Sequence, residues 1–187
     1  VVLDLNGKTI TITEKYIDLI KGSLEITGKG TIKDTRVLEA PGSTIFVEGS
    51  TNKSDTGYST LYVGKDITID TTQWGLSVWD TSAKAYGVTV NFDGTIVSTG
   101  SKAGGITIQG NIKNDGTAIN VPVINLSKTT KITATGSDGF PLYGAGAGQW
   151  NVLEATCEGI NGALGVKSGR FNIVNATLKA TGKHGVI

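Results

Sequence analysis

A five-residue phrase recurs along the chain: a small or polar residue, then apolar, any, apolar, any. It reads Tyr16-Ile17-Asp18-Leu19-Ile20, Thr44-Ile45-Phe46-Val47-Glu48, Gly75-Leu76-Ser77-Val78-Trp79 and Gly105-Ile106-Thr107-Ile108-Gln109. It continues as Gly139-Phe140-Pro141-Leu142-Tyr143, Ala163-Leu164-Gly165-Val166-Lys167 and a truncated Gly185-Val186-Ile187. The spacings are 28, 31, 30, 34, 24 and 22 residues. Periods of this size indicate a solenoid, a propeller or an array.

Between the anchors lie pairs of short alternating stretches joined by polar turns. Leu3-Asp4-Leu5 leads through Asn6-Gly7 to Ile10-Thr11-Ile12, and Leu61-Tyr62-Val63 leads through Gly64-Lys65-Asp66 to Ile67-Thr68-Ile69. Val90-Asn91-Phe92 leads through Asp93-Gly94 to Ile96 in the same way. Gly and Asn tolerate the positive φ that such bends require. Apolar residues at every second position are the period of a strand, and no 3.6-residue period appears in the gaps.

Three short strands per period predict an all-β right-handed parallel β-helix of about six to seven rungs. A sandwich or barrel would show hairpin symmetry, and a propeller blade needs four strands and about 40 residues. The uneven spacings place insertions at corners, the longest at 48–59, 80–87 and 143–149. Gly144-Ala145-Gly146-Ala147-Gly148 lacks the ending of a phosphate loop and is expected to be a flexible connection between rungs.

Composition agrees with this reading. Thr (26), Ile (19) and Val (15) make up nearly a third of 187 residues, and β-branched side chains favour pleated strands. Lys plus Arg is 17 against 16 for Asp plus Glu, a balance that argues against a nucleic-acid partner. No apolar run approaches the roughly 20 residues of a membrane span. Cys157 is the only cysteine and His184 the only histidine. No internal disulfide is therefore available; Cys157 is expected in the core and His184 in a surface turn. The whole of 1–187 is read as one β-helix domain, a segment of a longer chain.

Strand alternation also predicts a face. If Leu76 and Val78 point inward, Ser77 and Trp79 point outward. Stacking the anchors then aligns Glu48, Trp79, Gln109, Tyr143 and Lys167 in one column, with Phe46, Ser77, Thr107, Pro141 and Gly165 beside it. Aromatic rings pack on the C–H faces of sugars, while amides and carboxylates bond their hydroxyls, so the strip is a candidate glycan-binding surface. The competing expectation is that a neighbouring loop, with Trp74 or Trp150, covers Phe46, Trp79 and Tyr143. Phe92, Phe140 and Phe171 have inward parity. Thr9-Ile10-Thr11-Ile12-Thr13 resembles the Thr ladders of some ice-binding solenoids, but the phrase does not recur at one place in each period.

The opening Leu3-Asp4-Leu5-Asn6-Gly7-Lys8-Thr9-Ile10, together with the Gly-apolar-x-apolar anchors, resembles the pectin-lyase-like β-helix modules of bacterial cell-surface proteins. The resemblance runs over nearly the whole chain. It implies an extracellular or cell-surface bacterial setting rich in carbohydrate. Shared fold does not imply shared activity. Galacturonan hydrolases of this fold resemble one another in an Asn-Thr-Asp stretch, an Asp-Asp pair, a Gly-His-Gly and an Arg-Ile-Lys. This chain has none of them, and Gly182-Lys183-His184-Gly185 places its histidine one residue off. Pectate lyases hold Ca²⁺ with converging carboxylates, and no Asp-rich stretch marks such a site. Asp80, Asp138 and Arg170 are the weak catalytic candidates.

The expectation is therefore a structural or adhesive surface module that binds carbohydrate or a cell-wall glycan, without cofactor or metal. A polysaccharide lyase or glycoside hydrolase is the alternative, and a passive spacer stalk the second. Exposed end rungs are unpaired edges, so end-to-end or homo-oligomeric association is also expected.

Overall fold

The chain winds as a right-handed parallel β-helix whose three sheets take every third strand in sequence order. The computed structural model describes residues 1–49, 58–80, 87–110 and 121–182. His184, the Gly185 anchor and most of the corners predicted at 48–59 and 80–87 lie outside these residues. Sheet A runs from Val2–Asp4 to Arg170–Val174, and sheet B from Thr9–Ile12 to Thr177–Ala180, seven strands each. Sheet C has six strands, from Ile17–Leu19 to Gly165–Val166. All strand pairs within the sheets are parallel, so each rung pairs only with its neighbours.

The register shows why the alternation works. In sheet B, Ile10, Ile32, Ile69, Ile96, Ile132, Cys157 and Leu178 form one inward column. Cys157 thus stands where five rungs below it carry isoleucine. It is fully buried, and burial pushes its thiol up to about 12. In sheet A the inward column Leu24, Leu61, Val90, Ile124, Trp150 and Phe171 carries the largest core side chains at its upper end. Trp150 stacks on Phe171 at 5.4 Å inside the coil, so it covers neither Trp79 nor Tyr143. Phe92 is also fully buried.

The predicted inward position of Phe140 is not found. Phe140 precedes the strand Leu142–Gly144 at a corner and stacks on Tyr143, half-buried on the outer side. The glycine-rich stretch after Tyr143 is also held more firmly than expected. Gly144, Gly146, Ala147 and Gly148 are buried. Gly110 N donates to Ala147 O (2.6 Å), and Ala145 N to Ile108 O (3.0 Å).

Two ladders line the outer faces. On sheet A, Asn125 Nδ2 donates to Asn91 Oδ1 (2.9 Å) and Asn151 Nδ2 to Asn125 Oδ1 (2.7 Å). On sheet B, Thr9, Thr31, Thr68, Thr95, Thr156 and Thr177 share one column, interrupted by Lys131. A single threonine thus recurs at one place on six of seven rungs, whereas the Thr-x-Thr phrase does not, since Thr11 is followed up the column by Lys33, Asp70 and Val97. The ladder is one residue wide, however. The column beside it carries Lys33 against Asp70 (3.6 Å) and Glu158 against Lys179 (3.0 Å), so this face is charged.

The corner between sheets B and C on the second and third rungs is buried and polar. Asp34 and Arg36 form a fork: Nε to Oδ1 at 2.9 Å and Nη2 to Oδ2 at 2.6 Å. Arg36 Nη2 also donates to Ser43 O at 2.5 Å. Thr44 Oγ1 lies 3.0 Å from Asp34 Oδ2 and 2.8 Å from Thr71 Oγ1. Gln73 clamps both ends of the connection 36–42: its Nε2 donates to Arg36 O (3.0 Å), and its Oε1 accepts from Gly42 N (2.7 Å).

Candidate functional site

The outer face of sheet C concentrates exposed aromatic side chains. Its register pairs Glu48 with Trp79 and Trp79 with Gln109, as the stacked anchors require. Tyr143 falls elsewhere. It pairs with Thr107 and Gly165, in the column Asp18, Phe46, Ser77, Thr107, Tyr143 and Gly165. The cause is a two-residue slip on the fifth rung: Ile106 pairs with Leu142, not with Phe140. Lys167 follows the last strand of the sheet, and its Nζ lies 5.9 Å over the Tyr143 ring. Pro141 is buried at the corner before that strand.

Two aromatic groups result, and they differ in geometry. The upper group is Trp74, Phe140 and Tyr143. Tyr143 stacks on Trp74 at 6.0 Å and 27°, and on Phe140 at 5.8 Å and 19°. These near-parallel rings pack on one another; Trp74 does so from the strand Trp74–Asp80 and not from a neighbouring loop, and Trp79 is exposed. The lower group is Tyr16, Phe46 and Trp79. Here Phe46 meets Tyr16 at 5.9 Å and 65°, and Trp79 at 5.3 Å and 62°. Edge-to-face packing sets the edge of one ring against the face of the next. Trp79 is 40% exposed and Tyr16 46%, large values for aromatic rings.

The lower group walls a groove of about 300 Å³. Leu38 and Pro41 of the connection 36–42 form the opposite wall, with Gly42 and Ser43 at its base. Ser43 Oγ and Ser77 Oγ lie 2.5 Å apart. Ser77 (3% exposed) and Thr107 (8%) form a polar floor between the two aromatic groups. Arg36 also lines the groove, with its guanidinium 5.9 Å over the Tyr16 ring.

Two carboxylates flank Phe46: Asp18 is its partner on the rung below, and Glu48 is two residues on in the same strand. Burial raises the pKa of Asp18 above the ordinary carboxylate range. Burial raises Glu48 too, and the Asp18 charge adds to the effect. Neither forms an ion pair with another described residue. The sequence marked Glu48 but missed Asp18, Tyr16 and Arg36. Asp18 and Tyr16 were legible as the outward positions of the first anchor phrase; Arg36 lies in a connection without a period.

The three catalytic candidates are not brought together. Asp80 is 1% exposed at the end of a sheet C strand, paired with Gly110 above, and a Cβ on Gly49 would lie 2.7 Å from its Oδ1. Asp138 is exposed in a turn on the fifth rung, its backbone N donating to Ser101 O. Arg170 is exposed at the start of a sheet A strand on the seventh rung. Among the described residues no group of three or more His, Cys, Asp or Glu side chains could hold a metal ion, and no helix is long and apolar enough to cross a membrane. No family model, curated protein or solved structure matches the chain.

Proposed function

We propose that the chain is a carbohydrate-binding adhesive module of an extracellular bacterial surface protein, and that it binds glycan in the groove beneath Trp79. One observation carries the reading: Tyr16, Phe46 and Trp79, of which Tyr16 and Trp79 are exposed, line one groove with Ser43 at its base, and two carboxylates flank Phe46 on the same solenoid face. Sugar rings present C–H faces to such aromatics and hydroxyls to such polar groups. Gln109, in register with Trp79 and half-buried, supplies an amide on the next rung.

The test is binding of the purified protein to a panel of neutral, amino-sugar and uronic-acid oligosaccharides, followed by tryptophan fluorescence and by product size. Trp79→Ala is expected to weaken binding at least tenfold, the loss typical of an exposed aromatic anchor. Tyr143→Ala, in the stacked upper group, is expected to weaken it less than threefold. Binding untouched by Trp79→Ala would remove the groove from the reading. Shortened products would instead favour the polysaccharide-degrading alternative, and retention of no glycan would favour a spacer.

A further inference from the structure

We infer that Arg36 is the polar anchor of the groove beneath Trp79 and that its free guanidinium nitrogen takes the carbonyl oxygen of a sugar's acetamido group, so that the ligand class is an N-acetylamino-sugar glycan. The inference rests on the glycan reading above and narrows it. Among the described residues Arg36 is the one charged group lining the groove. Its side chain is 5% exposed. Nε and Nη2 are committed to the Asp34 carboxylate, and Nη2 also donates to Ser43 O. Nη1 has no hydrogen-bond partner among the described residues, yet it is not sealed from solvent. The guanidinium carbon stands 5.9 Å over the Tyr16 ring, and Nη1 lies 4.0 Å from where a Cβ on Gly42 would sit. Tyr16 and Gly42 both line the groove, so the unused N–H donors of Nη1 open onto it.

The form of that donor selects the acceptor. A carboxylate pairs best with a guanidinium through two parallel bonds from one fork. Asp34 already holds the Nε–Nη2 fork and cancels the charge, which leaves one nitrogen for a single oxygen. A neutral carbonyl oxygen fits that remaining donor. The rest of the lining suits an acetamido group. Leu38 and Pro41 give its methyl an apolar wall. Ser43 Oγ, which donates to Ser77 Oγ, keeps lone pairs for its N–H. The exposed Trp79 ring receives the sugar. A uronate would instead set a second carboxylate near Asp34 and against an apolar wall, and an ammonium would meet a donor.

The experiment titrates the 187-residue protein with five probes: an N-acetylglucosamine trimer, its de-N-acetylated counterpart, a glucose trimer of the same linkage, a galacturonate trimer and the sugar-free amide N-acetylglycine methylamide. Tryptophan fluorescence and calorimetry are the readouts. The acetylated trimer is expected to bind roughly tenfold tighter than the glucose trimer, about 1.4 kcal/mol. The galacturonate trimer is expected to bind weakest. Asp34→Leu with Arg36→Met removes Nη1 together with its neutralising partner. It is expected to bring the acetyl preference below about threefold while leaving the glucose trimer's affinity unchanged. Leu38→Ser, on the exposed wall outside the buried corner, is expected to lower the preference about threefold and tests the acetamido site even where the double variant does not fold. Equal binding of the acetylated and glucose trimers overturns the acetamido inference and leaves the glycan reading standing, as does tightest binding of the de-N-acetylated trimer or of galacturonate. A preference untouched by either folded variant overturns its placement at Arg36. Binding of the sugar-free amide as tightly as the acetylated trimer keeps the amide site and overturns the glycan reading. Binding of none of the five overturns both.

Discussion

Asp34→Ala probes the buried corner on which the groove wall rests. The Asp34 carboxylate accepts from Arg36 Nε, Arg36 Nη2 and the backbone N of Arg36, and lies within hydrogen-bond distance of Thr44 Oγ1. Side-chain exposure is 5% for Arg36 and 0% for Asp34. Truncation leaves a buried guanidinium with Ser43 O as its remaining acceptor. Breaking a buried pair by removing one partner costs about 3–5 kcal/mol. At roughly 2–4 °C per kcal/mol for a domain of this size, the midpoint should fall by about 6–20 °C if the rungs melt together. The paired replacement Asp34→Leu with Arg36→Met removes both charges and should recover most of that loss, since apolar substitutes for a buried pair are often neutral. The assay is equilibrium unfolding in urea, read by circular dichroism and tryptophan fluorescence. Trp74 and Trp79 report near the corner, and Trp150 reports from the sixth rung. A single substitution costing under about 1 kcal/mol, or a double costing more than the single, would refute the reasoning.

Three further outcomes are expected. Cys157 should resist thiol reagents at pH 8 in the folded protein and react on unfolding, because burial raises its pKa from 9.0 to about 12. The sign of the linkage is that stability is fully present below pH 9 and declines as pH rises toward 12, which alkaline melting curves would show. Asn125→Ala removes both a donor to Asn91 and an acceptor from Asn151; it should cost about 1–3 kcal/mol in urea unfolding. Gly136→Ala would drive a Cβ into the backbone carbonyl oxygen of Gly100 on the rung below. Two rungs must then separate, so the cost should exceed about 3 kcal/mol, or the protein should lose solubility on expression.

The inward half of the molecule was legible in the sequence because a core needs only parity and apolarity. Leu61, Val63, Ile67 and Ile69 announce two strands and their inner faces without reference to any other rung. The register between rungs is another matter, since corner lengths set it and corners have no period. The phrase at Gly139 aligns with the phrase at Gly105 by its glycine, yet the coil aligns Leu142 with Ile106. That slip moved Tyr143 out of the Trp79 column and placed Phe140 on the outer side. The threonine column was hidden for a similar reason: Thr31, Thr68 and Thr95 sit in differently worded phrases that only the stacked coil brings into line. The groove was half legible. Trp79 and Glu48 follow from alternation, whereas its second wall comes from Leu38 and Pro41, held by the Gln73 side chain from the next rung.

The stacking of each rung on its neighbours alone has an evolutionary consequence. Duplication or loss of one whole rung between the third and the fifth would leave every inward column in phase. Phe140 and Tyr143 would then be displaced from Trp74 and Trp79 by about 4.8 Å, one strand spacing. A change of a single residue within a strand has no such tolerance, because it turns the inner face outward. Selection can therefore adjust the length of this surface in whole steps, like teeth on a rack, while the chemistry at each tooth varies by point substitution without disturbing the core.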